Sequence, residues 1–150
     1  MNIPSDDAAV DPGAGAQSGA AFISRFLPTS PFVGHLGLRL VDIRPDEATL
    51  ALPFAEALVT IGTIVHGGAI ATLIDTAAMV AAWSGAELPA TVRGTTVALA
   101  ITYLAAASHE DLEATARVLR RGRSLVYLDV EVRGASGTAV AKGLVTYKLG

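Results

Sequence analysis

No cysteine occurs among the 150 residues. That excludes a disulfide framework, a thiolate metal site and a cysteine nucleophile. Imidazole is scarce too: His35, His66 and His109 are too scattered along the chain to suggest a metal centre. Charged residues make up 17%, where about 25% is ordinary, and aromatic residues only 5%. Neither sign of charge dominates. A net charge of −3 exerts no pull toward nucleic acid or an anionic membrane surface. A basic leader is missing, since Asp6, Asp7 and Asp11 occupy the region where a secretory signal would carry Lys or Arg. The most apolar stretch, Ile61 to Trp83, is interrupted by His66, Asp75 and three glycines. An acid at mid-span would cost about 2.5–3.5 kcal/mol in a bilayer, so a buried helix is the better reading. These absences lead us to expect a cytoplasmic protein with no membrane span, no nucleic-acid partner, and no metal or organic cofactor.

What is present is apolar surface. At 51% hydrophobic and 150 residues, the chain can build one substantial core. Residues 1–19 are rich in Pro, Gly, Ala, Ser and Asp without periodicity and read as a disordered tail, leaving a domain over 20–150. Ala20 to Leu27 predicts a short helix, stopped by Pro28 and Pro31. Two alternating runs, Leu38–Ile43 and Ala48–Leu52, flank Arg44-Pro45-Asp46-Glu47 and predict a hairpin. Glu56 to Val65 reads as a connection. The longest helical candidate runs from His66 to about Gly85. Four alternating runs follow, at Thr95–Leu104, Leu112–Arg120, Arg123–Arg133 and Thr138–Leu149. In the third, Val126, Leu128, Val130 and Val132 share one face, and Tyr127, Asp129, Glu131 and Arg133 the other. Short loops between the runs imply antiparallel neighbours. The predicted class is α+β: an antiparallel sheet wrapped around one long central helix.

One residue disturbs that helix. Between Ile61 and Ala86, Asp75 is the only formally charged side chain, and no Lys or Arg stands three or four residues to either side. Its face is shared by Gly68, Ala71, Thr72, Ala78, Met79 and Ala82, while Ile70, Leu73, Ile74, Ala77 and Ala81 make an apolar stripe opposite. A helix apolar all round is normally buried, and a carboxylate carried inside costs several kcal/mol unless paired. Asp75 is therefore either satisfied by a backbone group or distant Arg, or a site residue. At the helix start, His66-Gly67-Gly68 permits close backbone approach, and the unpaired first-turn amides lie at the positive end of the dipole. Such an end can hold a developing oxyanion. The same residues also suit a plain loop-to-helix junction.

The run Ile64-Val-His66-Gly67-Gly68-Ala-Ile-Ala-Thr-Leu-Ile-Asp75-Thr-Ala resembles the signature of PaaI-type acyl-CoA thioesterases of the hotdog fold, in the 4-hydroxybenzoyl-CoA thioesterase-like superfamily. The likeness covers His-Gly-Gly, the acid nine residues after the His and the small-residue helix between. Thr96-Val-Ala-Leu-Ala-Ile-Thr-Tyr-Leu104 resembles the family's first long strand after that helix, and Phe32–Leu40 its lead-in segment. Roughly residues 30 to 148 fit.

The resemblance implies roles. Asp75 would activate the attacking water or attack the thioester itself; the Gly67 amide would polarise the thioester carbonyl; His66 would shape the helix start; and Thr96 would assist from the next strand. Gly68 and Val97 would contact substrate. Six residues before the His, where many relatives have Asn, this chain has Thr60, with Thr63 as the alternative occupant of that role. Gly62 also stands one residue earlier than the family's usual spacing. The Arg120-Arg121-Gly122-Arg123-Ser124 turn is the densest positive patch, and in the family this hairpin often lies near coenzyme A phosphates, which suit the guanidinium fork. Trp83, Met79 and Phe54 are apolar enough to line an acyl pocket or simply to fill the core. The expected partner is acyl-CoA, with a homodimer or a dimer-of-dimers tetramer forming the active site between subunits. Two other readings are a non-catalytic acyl-CoA-binding hotdog protein and a hotdog hydratase or dehydratase. The latter needs a His about five residues after the acid, where Val80 stands.

Overall fold

The computed structural model describes residues 18–89 and 92–150. The expected tail over 1–19 lies outside the described residues except for its end, which belongs to the fold. Ser18 caps helix α1 (Gly19–Phe26), accepting from the Ala21 amide at 3.2 Å, and the Gly19 N–H donates to the Ala86 carbonyl. Pro28 sits in a single 3-10 turn. Pro31, expected to stop a helix, instead opens one: α2 (Pro31–Leu36), because a proline at the first helical position gives up no needed N–H.

Strands β1 (Arg39–Arg44) and β2 (Glu47–Leu52) form the predicted hairpin, with Asp46 at positive φ in its turn. The segment read as a plain connection holds a miniature hairpin, β3 (Val59–Ile61) and β4 (Ile64–Val65), turning at Gly62 with φ +57°. Helix α3 (Gly67–Ser84) follows, then β5 (Gly94–Tyr103), β6 (Leu112–Arg121), β7 (Leu125–Gly134) and β8 (Ala139–Leu149). All pairings of the main sheet are antiparallel, in the order β1-β2-β6-β7-β8-β5. The predicted inward set on β7 (Val126, Leu128, Val130, Val132) is fully buried, and Tyr127 and Arg133 face out.

Helix α3 lies across one face of the sheet, touching β1, β2, β6, β7, β8 and β5. Leu73, Ile74, Ala77 and Ala81 are completely buried there. Gly143 on β8 makes the close approach possible, since a Cβ at that position would run into Ile74 Cγ2 at 2.6 Å. α3 is long and apolar enough to cross a membrane, but 67% of it is buried inside the domain, as a core helix must be. Coverage is not complete, however. Gly68, Ala71, Thr72, Asp75 and Met79 form a stripe that the sheet does not cover, partly overlain by α1 and α2. The all-round burial expected from the sequence therefore fails along the one line that carries the acid.

Candidate active site

Asp75 occupies the middle of the open stripe. Its Oδ1 accepts a hydrogen bond of 2.6 Å from the Thr96 hydroxyl. No cation and no backbone amide reaches it among the described residues. Thr96 is brought there by register. It pairs with Tyr147 across β5 and β8, and a bulge at Val97 follows immediately. The extra residue pushes Val97 outward, 51% exposed, while Thr96 turns toward α3.

Around the carboxylate is a cleft of about 340 Å³ walled by Phe26, Phe32, Val33 and Met79, with Thr72, Thr76 and Tyr147 as polar neighbours. Met79, one of the three residues suggested as pocket lining, is in this wall. Trp83 is buried beneath it, donating from its indole N–H to the Tyr147 hydroxyl at 3.3 Å. Phe54 is elsewhere, packed against the His109 ring. Burial pushes the Tyr147 phenol pKa up, the Trp83 hydrogen bond pulls it down, and the negative Asp75 raises it further. Upward wins, so the phenol is protonated at neutral pH.

The helix start is capped by its own neighbour. His66 has extended backbone, and its Nδ1 accepts from the Gly68 amide at 2.8 Å. Gly68 N–H is thereby used, so this expected substrate contact has no amide to offer. Gly67 is the first helical residue, so its N–H precedes the helix's own hydrogen-bond ladder. The Tyr103 hydroxyl donates to the Gly67 carbonyl at 2.8 Å, and its ring lies against Gly67. Tyr103 was not singled out from the sequence; an aromatic at the end of a strand carries no signal of its own. Thr60 and Gly67 border one shallow cleft with Tyr103. Thr63 is drawn off, its hydroxyl bonded to Ser108 at 2.7 Å. Of the two candidates for the Asn position, Thr60 is the one that shares a cleft with Gly67.

The basic turn is split in its roles. Arg121 is taken by Asp46, whose Oδ1 receives its Nε at 3.1 Å and Nη2 at 2.5 Å. Arg120, Arg123, Gly122 and Ser124 are exposed. Arg121, Gly122 and Arg123 border a cleft with Trp83 and Gly85, at the C-terminal end of α3. They are at the far end of the helix from Gly67.

The family model described as the thioesterase superfamily matches residues 62–141, from the turn of the small hairpin to the first residues of β8. The chain belongs to the thioesterase superfamily. Human acyl-coenzyme A thioesterase 13 is 38% identical over 119 residues, spanning 75% of this chain and 80% of that protein. The structure of zebrafish thioesterase superfamily member 2 is 30% identical, with a TM-score of 0.72 over 85% of this chain and 94% of the other. The PaaI protein of E. coli, at 20% identity, matches with a TM-score of 0.78 over 87% of this chain and 93% of its own. That last likeness concerns the fold alone. As a thioesterase superfamily member with this sheet around this helix, the protein has the hotdog fold, and it is a thioester hydrolase.

Proposed function

We propose that the protein hydrolyses acyl-coenzyme A thioesters with Asp75 as the base, and that each active site draws on two subunits. The observation that carries this reading is the Thr96–Asp75 pair, set on the uncovered stripe of α3 beside an apolar cleft of about 340 Å³. Because α3 leaves this line open to solvent, a water molecule can reach the carboxylate. Asp75 takes a proton from that water as its oxygen attacks the thioester carbonyl carbon. The carbonyl oxygen becomes an oxyanion held by the Gly67 N–H, with the Thr60 hydroxyl beside it. Collapse of the intermediate breaks the C–S bond, and the coenzyme A thiolate leaves and is protonated.

A single subunit does not bring these groups together. Gly67 and Asp75 are on one helix, separated by about 12 Å at 1.5 Å per residue. One carbonyl cannot touch both. A second copy of α3 running antiparallel would set Gly67 of one chain opposite Asp75 of the other, twice by symmetry. Strand β5 offers the surface for it: it is an edge strand with Val97, Leu99 and Tyr103 exposed, and unpaired edges of this kind are covered in assemblies. The exposed Arg120 and Arg123 guanidinium groups, with no ion pair among the described residues, meet the nucleotide phosphates of coenzyme A. Val97 and the outer lip of the cleft contact the pantetheine arm.

The test is thiol release from a panel of acyl-CoAs. The protein as purified should release coenzyme A, and Asp75→Asn should not. Absence of release across short, long and aryl acyl groups, with binding intact, would favour the acyl-CoA-binding reading instead.

A further inference from the structure

The Tyr147 hydroxyl has a donor with nothing to give it to. Its oxygen accepts the Trp83 indole N–H at 3.3 Å, and among the described residues it donates to no acceptor. A phenol can do both, and a buried donor is ordinarily satisfied. Tyr147 is only 5% exposed, yet it borders the same cleft as Asp75. The fold keeps it there at some cost to its neighbours. Gly94 lies against the ring, and a Cβ at that position would meet the phenol oxygen at 2.5 Å. The position along the cleft follows from the helix. Trp83 stands eight residues beyond Asp75, and helical side chains lean back toward the N-terminus. The phenol is therefore displaced from the carboxylate toward the C-terminal end of α3, in a cleft that Met79 and Phe26 also line.

We propose that Tyr147 is a specificity-determining residue, and that its free phenol proton selects acyl groups carrying an oxygen acceptor a few bonds beyond the thioester carbonyl. The inference rests on the thioester-hydrolase reading of the cleft. A plain alkyl chain would fill the apolar walls but leave the buried donor unpaired. An acyl group with a hydroxyl or oxo oxygen at the right depth would satisfy it. Sites built to pair with a polar group discriminate strongly against analogues that lack it.

The experiment compares kcat/KM for octanoyl-CoA with its monohydroxy isomers, the hydroxyl moved stepwise along the chain. At least one isomer should exceed octanoyl-CoA by about tenfold in the unaltered protein. Tyr147→Phe should lose that preference. Trp83→Phe, which removes the indole and keeps the phenol, should retain it. Binding of the corresponding non-hydrolysable thioethers gives a readout independent of turnover. Trp83 is the only tryptophan of the chain, and its emission should shift with the preferred hydroxylated analogue more than with the plain one. If no isomer is preferred by the unaltered protein, or if Tyr147→Phe keeps the preference, the inference is overturned whatever the stability of the variants. If the emission shows the preference but no substrate is hydrolysed, the selectivity stands and the hydrolytic reading falls.

Discussion

The hydroxyl of Thr96 donates to the carboxylate of Asp75 at 2.6 Å, linking two residues 21 positions apart on a strand and a helix. The bond claims Oδ1 and leaves Oδ2 without a partner among the described residues, on a side chain that lines the cleft. Replacing Asp75 by Asn keeps this geometry and removes the charge. Hydrolysis should fall by at least about 10²-fold, the low end for loss of a general base. The melting temperature should hold or rise, since a neutral amide on a half-buried stripe is cheaper than a carboxylate. A folded Asp75→Asn protein with near-normal kcat would remove the residue from the mechanism. Thr96→Val should cost less, about tenfold in kcat, because it frees the carboxylate to swing while leaving the base in place.

Gly67 permits an unusually clean deletion. His66 is extended, with φ −64° and ψ 133°, which is the conformation a following proline requires. Proline is also favoured at the first position of a helix. Gly67→Pro should therefore fold, yet lack the N–H that polarises the carbonyl. Loss of one oxyanion donor is worth about 10²–10³-fold in kcat. Unchanged kcat in a folded Gly67→Pro protein would show that the oxyanion is held elsewhere.

Sharing of the site between subunits can be read by mixing. Asp75→Asn and Gly67→Pro proteins, each inactive alone, should regain activity when unfolded together and refolded. A mixed dimer has one intact site and one doubly damaged site, and random pairing makes half of all dimers mixed. About a quarter of the unaltered activity should return. No recovery from well-folded mixed dimers would mean that Gly67 and Asp75 do not meet across an interface.

The arginines of the β6–β7 turn should separate. Arg121→Ala removes the partner of Asp46 at the β1–β2 turn and should lower stability by about 1 kcal/mol, seen as a drop in melting temperature. Arg120→Ala with Arg123→Ala should leave stability alone and raise KM for acyl-CoA more than it lowers kcat, as uniform binding contacts do. An acyl-pantetheine, without nucleotide phosphates, should be indifferent to the double change. Equal losses on both substrates would assign the turn a structural role.

The boundaries of the long helix and of the six main strands were legible in the sequence because each depends on local pattern. The alternation Val126, Leu128, Val130, Val132 dictates which face of β7 is buried, and the glycines and His66 mark where α3 begins. The reading of Asp75 as the exceptional residue was likewise local: one charge in a run of small apolar side chains. The Arg120–Ser124 turn was legible as positive, but not that Arg121 would be spent on Asp46, 75 residues away. Three features belong to tertiary structure alone. The uncovered stripe on α3 exists because the sheet is wide enough to wrap only part of the helix circumference. The Thr96–Asp75 bond depends on a bulge at Val97, whose register is set by pairing with β8. The unpaired proton of Tyr147 depends on a strand, a helix and a glycine meeting at one point. Periodicity reports what a segment buries; which distant segment lies opposite, and which hydrogen bonds are left unmade there, is decided only when the sheet closes on the helix.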